Sequence, residues 1–225
     1  MTHHDLVIDN ADYIITSDSS DTVLRNHSIG ITGCEITSIA PAGKLQGKNH
    51  YDARGKAITP GLINTHTHLA MTLFRGWAEG VDLQGFLERV WAAEGAIMDG
   101  PTAELGTELG ALESLLGGTT TALDMYLFPD SAHKGAVRAG LRHISGPIFF
   151  DFPGLDGMEW ESRIAFAKSW PQVLAHIGGP KVPSFLMPHA TYTCSPEHLR
   201  EIATMAAEIG ANIHIHASEI GRAHV

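Results

Sequence analysis

Cysteine is nearly absent: the chain has two among 225 residues, Cys34 and Cys194, far apart and outside any CxxC pattern. That excludes a disulfide scaffold and a thiolate zinc site, and it fits a reducing cytoplasm. Lysine is scarce as well, with no basic run anywhere, and the formal net charge is −10. A nucleic-acid backbone or an anionic membrane is therefore excluded as a partner. No apolar stretch approaches the ~18 residues that spanning a bilayer requires. The opening Met1-Thr2-His3-His4-Asp5 lacks the basic-then-apolar pattern of a leader, so the expectation is a cytoplasmic chain, neither exported nor membrane-spanning. Three common catalytic signatures are missing too: the GxSxG elbow, the GxxxxGK[ST] loop and the GxGxxG turn. Gly117-Gly118-Thr119-Thr120-Thr121 runs from a helix into a strand, the wrong direction for a phosphate cradle.

What is present is a globular composition, 44% hydrophobic and 18% charged, with 14 histidines. The chain changes character near residue 58. Before it, short β-rich segments at 6–8, 13–15, 28–31 and 36–39 are separated by Asp/Asn/Gly clusters, which predicts a small antiparallel β unit over 1–57. From 58 onward strands alternate with helices. Strands are expected at 58–65 (buried), 119–125, 143–150, 184–189 and 212–217. Helices are expected at 83–98, 102–116, 131–139, 159–177 (broken near Pro171) and from Ser195 to Gly210. In the second of these, Leu105, Leu109, Leu112 and Leu116 fall on one stripe. Alternation on this scale implies an α/β fold with a parallel sheet. Five strands are too few to close a (β/α)8 TIM-type barrel, so an incomplete barrel, or a doubly wound sheet, fits.

The chemistry sits at strand ends. In PGLINTHTH (60–68), His66 and His68 are two apart on a strand and share a face, about 7 Å apart at the backbone. Two such imidazoles can converge on one metal, although an HxH pair alone is as readily solvated or packed in a core. The second histidine strand, Ile213-His214-Ile215-His216-Ala217-Ser218-Glu219, strengthens the metal reading. His216 lies nearer the C-terminal strand end, where barrel active sites form, and His214 one layer deeper, as an interior histidine. Three imidazoles from two strands make an open zinc site. Glu219 stands just past the strand, where a carboxylate can shuttle protons; its ordinary alternative is an acid in a first helical turn.

These residues resemble a known family. PGLINTHTH, then MTLFRG (71–76), GGTTT, PHATYTCS (188–195) and HIHASE are together similar to the cytosine/adenosine-deaminase-related branch of the amidohydrolase superfamily, near the methylthioadenosine/S-adenosylhomocysteine deaminases and the ring chlorohydrolases. The resemblance implies a β-sandwich built from both chain ends beside a (β/α)8 barrel, with 1–57 as the N-terminal part of the sandwich and 58–219 as the first part of the barrel. It implies one Zn2+ (with Fe2+ left open) held by His66, His68 and His216. By the same likeness Glu219 passes a proton to the ring nitrogen of a heterocyclic substrate, His189 hydrogen-bonds that substrate, and Glu94 meets ribose hydroxyls. Trp77, Phe74 and Trp91 can stack on a flat ring or pack in the core. A two-metal arrangement needs a lysine ending the fourth strand, and that strand ends Met187-Pro188-His189-Ala190. The implied reaction is hydrolytic deamination of a purine-like ring with release of ammonia.

The family also needs a histidine after strand six and an aspartate after strand eight, both expected beyond Val225. The last six residues, Ile220 to Val225, match the in-frame translation of a sequencing adapter (ATC GGA AGA GCA CAC GTC), so 220–225 are expected to be non-native and the chain a fragment. Codon 219 shares two bases with that adapter. Two functions of different class stay open: a hydrolase whose complete form deaminates, with ring dechlorination as the alternative within that class, or an incomplete chain acting only as a binding module. Substrate identity and homo-oligomer formation are left open by the sequence.

Overall fold

The computed structural model describes residues 3–217, and the chain's contacts divide it into two compact units, Met1–Gly61 and Leu62–Val225. Glu219 lies outside the described residues. The first unit is a five-stranded sheet of β1 (His3–Ile15), β2 (Val23–Thr32), β3 (Glu35–Pro41), β4 (Gln46–Asp52) and β5 (Ala57–Ile58). The segments expected at 6–8 and 13–15 are one strand, with a register shift between Ile8 and Ala11 where Asn10 takes φ 58°. Asparagine reaches the left-handed region at little cost, so the strand bends there rather than ending. The unit is also not wholly antiparallel: β1 pairs with β2 antiparallel but with β4 and β5 in parallel. β4 reads Gln-Gly-Lys-Asn-His-Tyr-Asp and is mostly exposed, so it has no apolar alternation by which the sequence could reveal it. Val7, Ala11, Ile14, Ile29 and Ala53 are buried within this unit.

The second unit is parallel. One sheet runs β6 (Leu62–Thr67), β7 (Thr119–Asp124), β8 (Arg142–Ile144); the other runs β9 (Ile148–Phe149), β10 (Phe185–Pro188), β11 (Asn212–Ile213). The single strand expected at 143–150 is split: β8 pairs with β7 and β9 with β10, with Ser145-Gly146-Pro147 between them. Pro147 has no N–H for a ladder, and a Cβ on Gly146 would lie 1.9 Å from the Phe185 carbonyl oxygen. The chain there approaches β10 too closely for any side chain. Counting β8 and β9 as one stave, five staves of a (β/α)8 barrel stand in order. The first, expected to be buried, exposes Leu62 and Ile63 at 61% and 68%, because among the described residues β6 pairs only with β7.

Helices α1 (Leu83–Ile97), α2 (Gly100–Leu116), α3 (Pro129–Ala139), α4 (Trp160–Ile177) and α5 (Pro196–Ile209) alternate with these strands. Asp82, Asp99 and Ser195 cap α1, α2 and α5 by accepting the amides of Gly85, Thr102 and His198. The leucine stripe of α2 does not face the core. Leu105, Leu109, Leu112 and Leu116 are exposed, and the buried face is Ala103, Gly106, Thr107, Gly110 and Ala111. Close approach decided this over hydrophobicity: a Cβ on Gly106 or Gly110 would meet the carbonyl oxygens of Ala70 and Leu69 at 2.8 and 2.7 Å. Small residues let α2 pack directly on the 3-10 turn Leu69–Phe74 that follows β6. The break expected at Pro171 is absent too, and α4 runs through it. Its buried face of Arg163, Ala167 and Trp170 holds it, with Trp170 Nε1 donating to the Ser145 carbonyl at 3.1 Å. Tertiary packing of that face outweighs the one hydrogen bond a proline removes.

Candidate metal centre

His66 sits at the end of β6 and His68 at the start of the 3-10 turn behind it. Between Asn64 and Thr67 the β6–β7 register slips, leaving two residues of β6 opposite one of β7. Such a bulge re-aims side chains at a strand end. Asn64 Oδ1 accepts the His66 amide at 3.1 Å and fixes the bend. His216 comes from the other sheet. β11 is shorter than the strand expected at 212–217, since pairing with β10 is regular only to Ile213 and resumes as an isolated bridge between Ala190 and His216. Pro188, with no N–H to donate, stands where the ladder lapses. The His216 amide donates to the His189 carbonyl at 2.9 Å, which fixes its height.

The three rings meet. Ring centroids are 5.5 Å apart for His66 and His68, 4.9 Å for His66 and His216, and 5.1 Å for His68 and His216. One nitrogen from each lies within 4.8 Å of the others, a spacing that three imidazoles around one ion at about 2 Å each can adopt. His68 has its tautomer assigned by its neighbour: Nδ1 is 2.6 Å from the Met125 carbonyl oxygen, which can only accept. Nδ1 therefore carries the proton and Nε2 offers its lone pair, the usual support of a metal-ligating histidine. His214 is half-buried and outside the cluster; burial first, then His66 and His68, push its basicity down.

A cavity of about 150 Å³ opens from His68 and His216. Its wall is mostly apolar, with Trp91, Phe150 and Phe152 as the flat surfaces, and His189 stands 5.2 Å from the His216 ring with its Nδ1 held 3.0 Å from Thr193 Oγ1. Glu94 also lines it. It is 4% exposed, on the buried stripe of α1 that begins at Val90 and continues to the C-cap residue Met98. The Tyr126 hydroxyl donates to Glu94 Oε1 at 2.6 Å. Burial raises the Glu94 carboxyl above the usual range, opposed by that hydrogen bond and by His68, while burial and the Glu94 charge raise the Tyr126 phenol.

The cavity thus gathers His68, His216, His189 and Glu94 of the residues that the sequence singled out, with His66 completing the cluster behind it. Trp77 is not gathered: it is 61% exposed, follows Gly76 in a turn, and is not among the lining residues. Trp91, Phe150 and Phe152 take the flat-wall position instead. Phe150 and Phe152 were not singled out from the sequence, and neither was the polar lining residue Tyr126. The available signal was an acid at 94 on the helical stripe between Val90 and Met98, which has to find a buried donor.

The sequence profile of the amidohydrolase family matches residues 57–224. The chain is 36% identical over 220 residues to 5-methylthioadenosine/S-adenosylhomocysteine deaminase 2 of Archaeoglobus fulgidus, covering 96% of this chain and 50% of that protein. It is 34% identical over 223 residues to the 5'-deoxyadenosine deaminase of Methanosarcina mazei, covering 96% and 49%. Among solved structures, a zinc-bound adenosine deaminase from Xanthomonas campestris superposes with TM-score 0.86 at 26% identity, over 95% of this chain and 49% of that one. A zinc complex of an atrazine chlorohydrolase from Arthrobacter aurescens, at TM-score 0.77 and 24% identity, covers 96% and 53% and shares the fold. The chain spans about half the length of the curated relatives it matches. With the profile covering most of its length and the barrel staves in order, the chain belongs to the amidohydrolase family.

Proposed function

We propose that this chain carries the metal-binding part of a zinc-dependent hydrolase that deaminates an adenosine-type heterocycle, releasing ammonia. The observation that supports it most is the convergence of His66, His68 and His216 at one end of a cavity that is also lined by His189, Tyr126 and the buried Glu94. The donor set fits a metal: three neutral nitrogens, one with its tautomer fixed by a carbonyl, suit Zn2+ better than a hard cation. Metal analysis decides between Zn2+ and Fe2+. The chemistry such an ion supplies when bound is a water nucleophile at neutral pH together with Lewis-acid polarisation.

The chain's own residues do the rest. The aromatic wall excludes water and receives a flat ring, and His189 hydrogen-bonds it. Glu94, held as an acceptor by Tyr126, takes the hydroxyls of a ribose. Glu219 moves a proton to the ring nitrogen; that role rests on the family likeness alone. The two unpaired cysteines, one exposed and one buried, fit a cytoplasmic setting, and no helix among the described residues is long and apolar enough to cross a membrane.

The test is to read the source DNA past codon 219, express the longer product and measure ammonia release from methylthioadenosine, 5'-deoxyadenosine and adenosine. Zinc-dependent release from at least one supports the proposal. Chloride release from a halogenated triazine without ammonia release would replace it with dechlorination, and neither activity in a metal-loaded product would leave a binding module.

A further inference from the structure

Away from the cavity, a second polar cluster is sealed in the barrel wall. Asp124 at the end of β7 and His143 on β8 are both fully buried, and His133 on α3 is 1% exposed. Asp124 Oδ2 accepts from His143 Nε2 at 2.9 Å, and the Nδ1 atoms of His143 and His133 share a hydrogen bond at 3.1 Å. Burial, then the neighbouring His143, lowers the basicity of His133 to about 4, so it is neutral at physiological pH. A carboxylate and two imidazoles at full burial cost more to desolvate than the apolar side chains that could fill the same space. What such a network supplies in return is a single fixed orientation.

The other oxygen of Asp124 reaches the segment just behind His68. Asp124 Oδ1, the oxygen not bonded to His143, accepts the Leu69 amide at 2.9 Å, and that bond is also buried. Leu69 directly follows His68. The residue after Asp124, Met125, offers its carbonyl to His68 Nδ1 at 2.6 Å and donates its amide to the Thr67 carbonyl at 3.2 Å. Asp124, the last residue of β7, and Met125 after it therefore hold Thr67, the last residue of β6, and the two residues that follow it, and only one of these contacts touches a histidine of the cluster directly. Without the Asp124 contact, the buried Leu69 amide would lose its acceptor, and the segment would be held by the Thr67–Met125 bond before His68 and the Met71 amide on the His68 carbonyl behind it.

We infer that Asp124, locked by His143 and His133, is a positioning residue that sets where His68 presents Nε2, by anchoring the backbone of Leu69. This rests on the reading of His66, His68 and His216 as metal ligands, and it extends that reading to three buried groups on the outer side of the strands.

The experiment uses the full chain, stripped of metal and reloaded with zinc or cobalt. In Asp124→Asn and His143→Leu, far-UV circular dichroism stays as in the parent. Zinc affinity, by competition with a chromophoric chelator, falls about tenfold, the low end of what outer-shell partners of metal ligands contribute. The ligand-field spectrum of the Co2+ form changes, and the Leu69 amide exchanges faster in the metal-free chain. Should either single variant fail to fold, Asp124→Leu/His143→Leu removes the buried charge as a pair and keeps the comparison open. A folded variant with parental zinc affinity, cobalt spectrum and Leu69 exchange overturns the inference. If the parent itself binds no zinc, the metal reading fails; faster Leu69 exchange in the metal-free variants would still support the anchor, and unchanged exchange would overturn it.

Discussion

Tyr126→Phe removes one oxygen from the cavity wall and no carbon. In the parent that oxygen donates to Glu94 Oε1 at 2.6 Å, and both side chains are about 95% shielded from solvent. Leaving a buried acceptor without its donor costs about 1–3 kcal/mol, more when the acceptor is charged. The cost depends on pH in a definite direction. Burial already raises the Glu94 carboxyl above its unfolded value, and the Tyr126 hydrogen bond opposes that rise. A carboxyl with a raised folded pKa binds its proton more tightly when folded, so the stability it confers is present below the unfolded pKa and is lost as pH rises through the folded one. Removing the hydroxyl raises the folded value further. The destabilisation by Tyr126→Phe is therefore smaller at pH 5 than at pH 8. Urea unfolding followed by tryptophan fluorescence at both pH values measures it, with Glu94→Gln as control. In the Gln background the Tyr→Phe cost loses its pH dependence. An equal cost at pH 5 and pH 8, or no cost at either, would refute the view of Glu94 as a strained carboxylate held by Tyr126.

Two other substitutions test the fold that presents the site. Gly146→Ala places a methyl 1.9 Å from the Phe185 carbonyl oxygen, and, since backbone rather than a flexible side chain must move, it costs about 3 kcal/mol or more, read as a lowered urea midpoint. Leu109→Gln, on the exposed stripe of α2, shifts stability by no more than about 0.5 kcal/mol; a loss comparable to that of a core leucine would mean that the stripe is covered.

Strand–helix alternation after residue 58 was readable because each strand carries a run of β-branched or apolar residues bounded by glycine. The histidine pairs were readable because they repeat at a spacing of two on two such strands. Other features depend on tertiary distance, which a local pattern does not carry. The inward face of α2 is set by glycines that admit the Leu69 and Ala70 carbonyls, so its leucines point outward against the hydrophobic rule. The barrel's third stave is split by a glycine-proline pair whose reason is the neighbouring Phe185 backbone. β4 has no apolar residue pattern at all. In the site, Asp124 and His143 are 19 residues apart and Glu94 and Tyr126 are 32 apart, each looking ordinary until the sheet brings its partner within hydrogen-bond reach.

The measurement that bears most directly on the central claim is the metal content of the chain purified without chelators, beside His66→Ala and His216→Ala prepared in the same way. The account predicts about one zinc per parent chain, as three converging imidazoles should retain, and loss of that metal in both variants with their circular dichroism unchanged. A parent chain that cannot be loaded with zinc, or histidine variants that keep it, would contradict the metal centre and the hydrolytic function built on it.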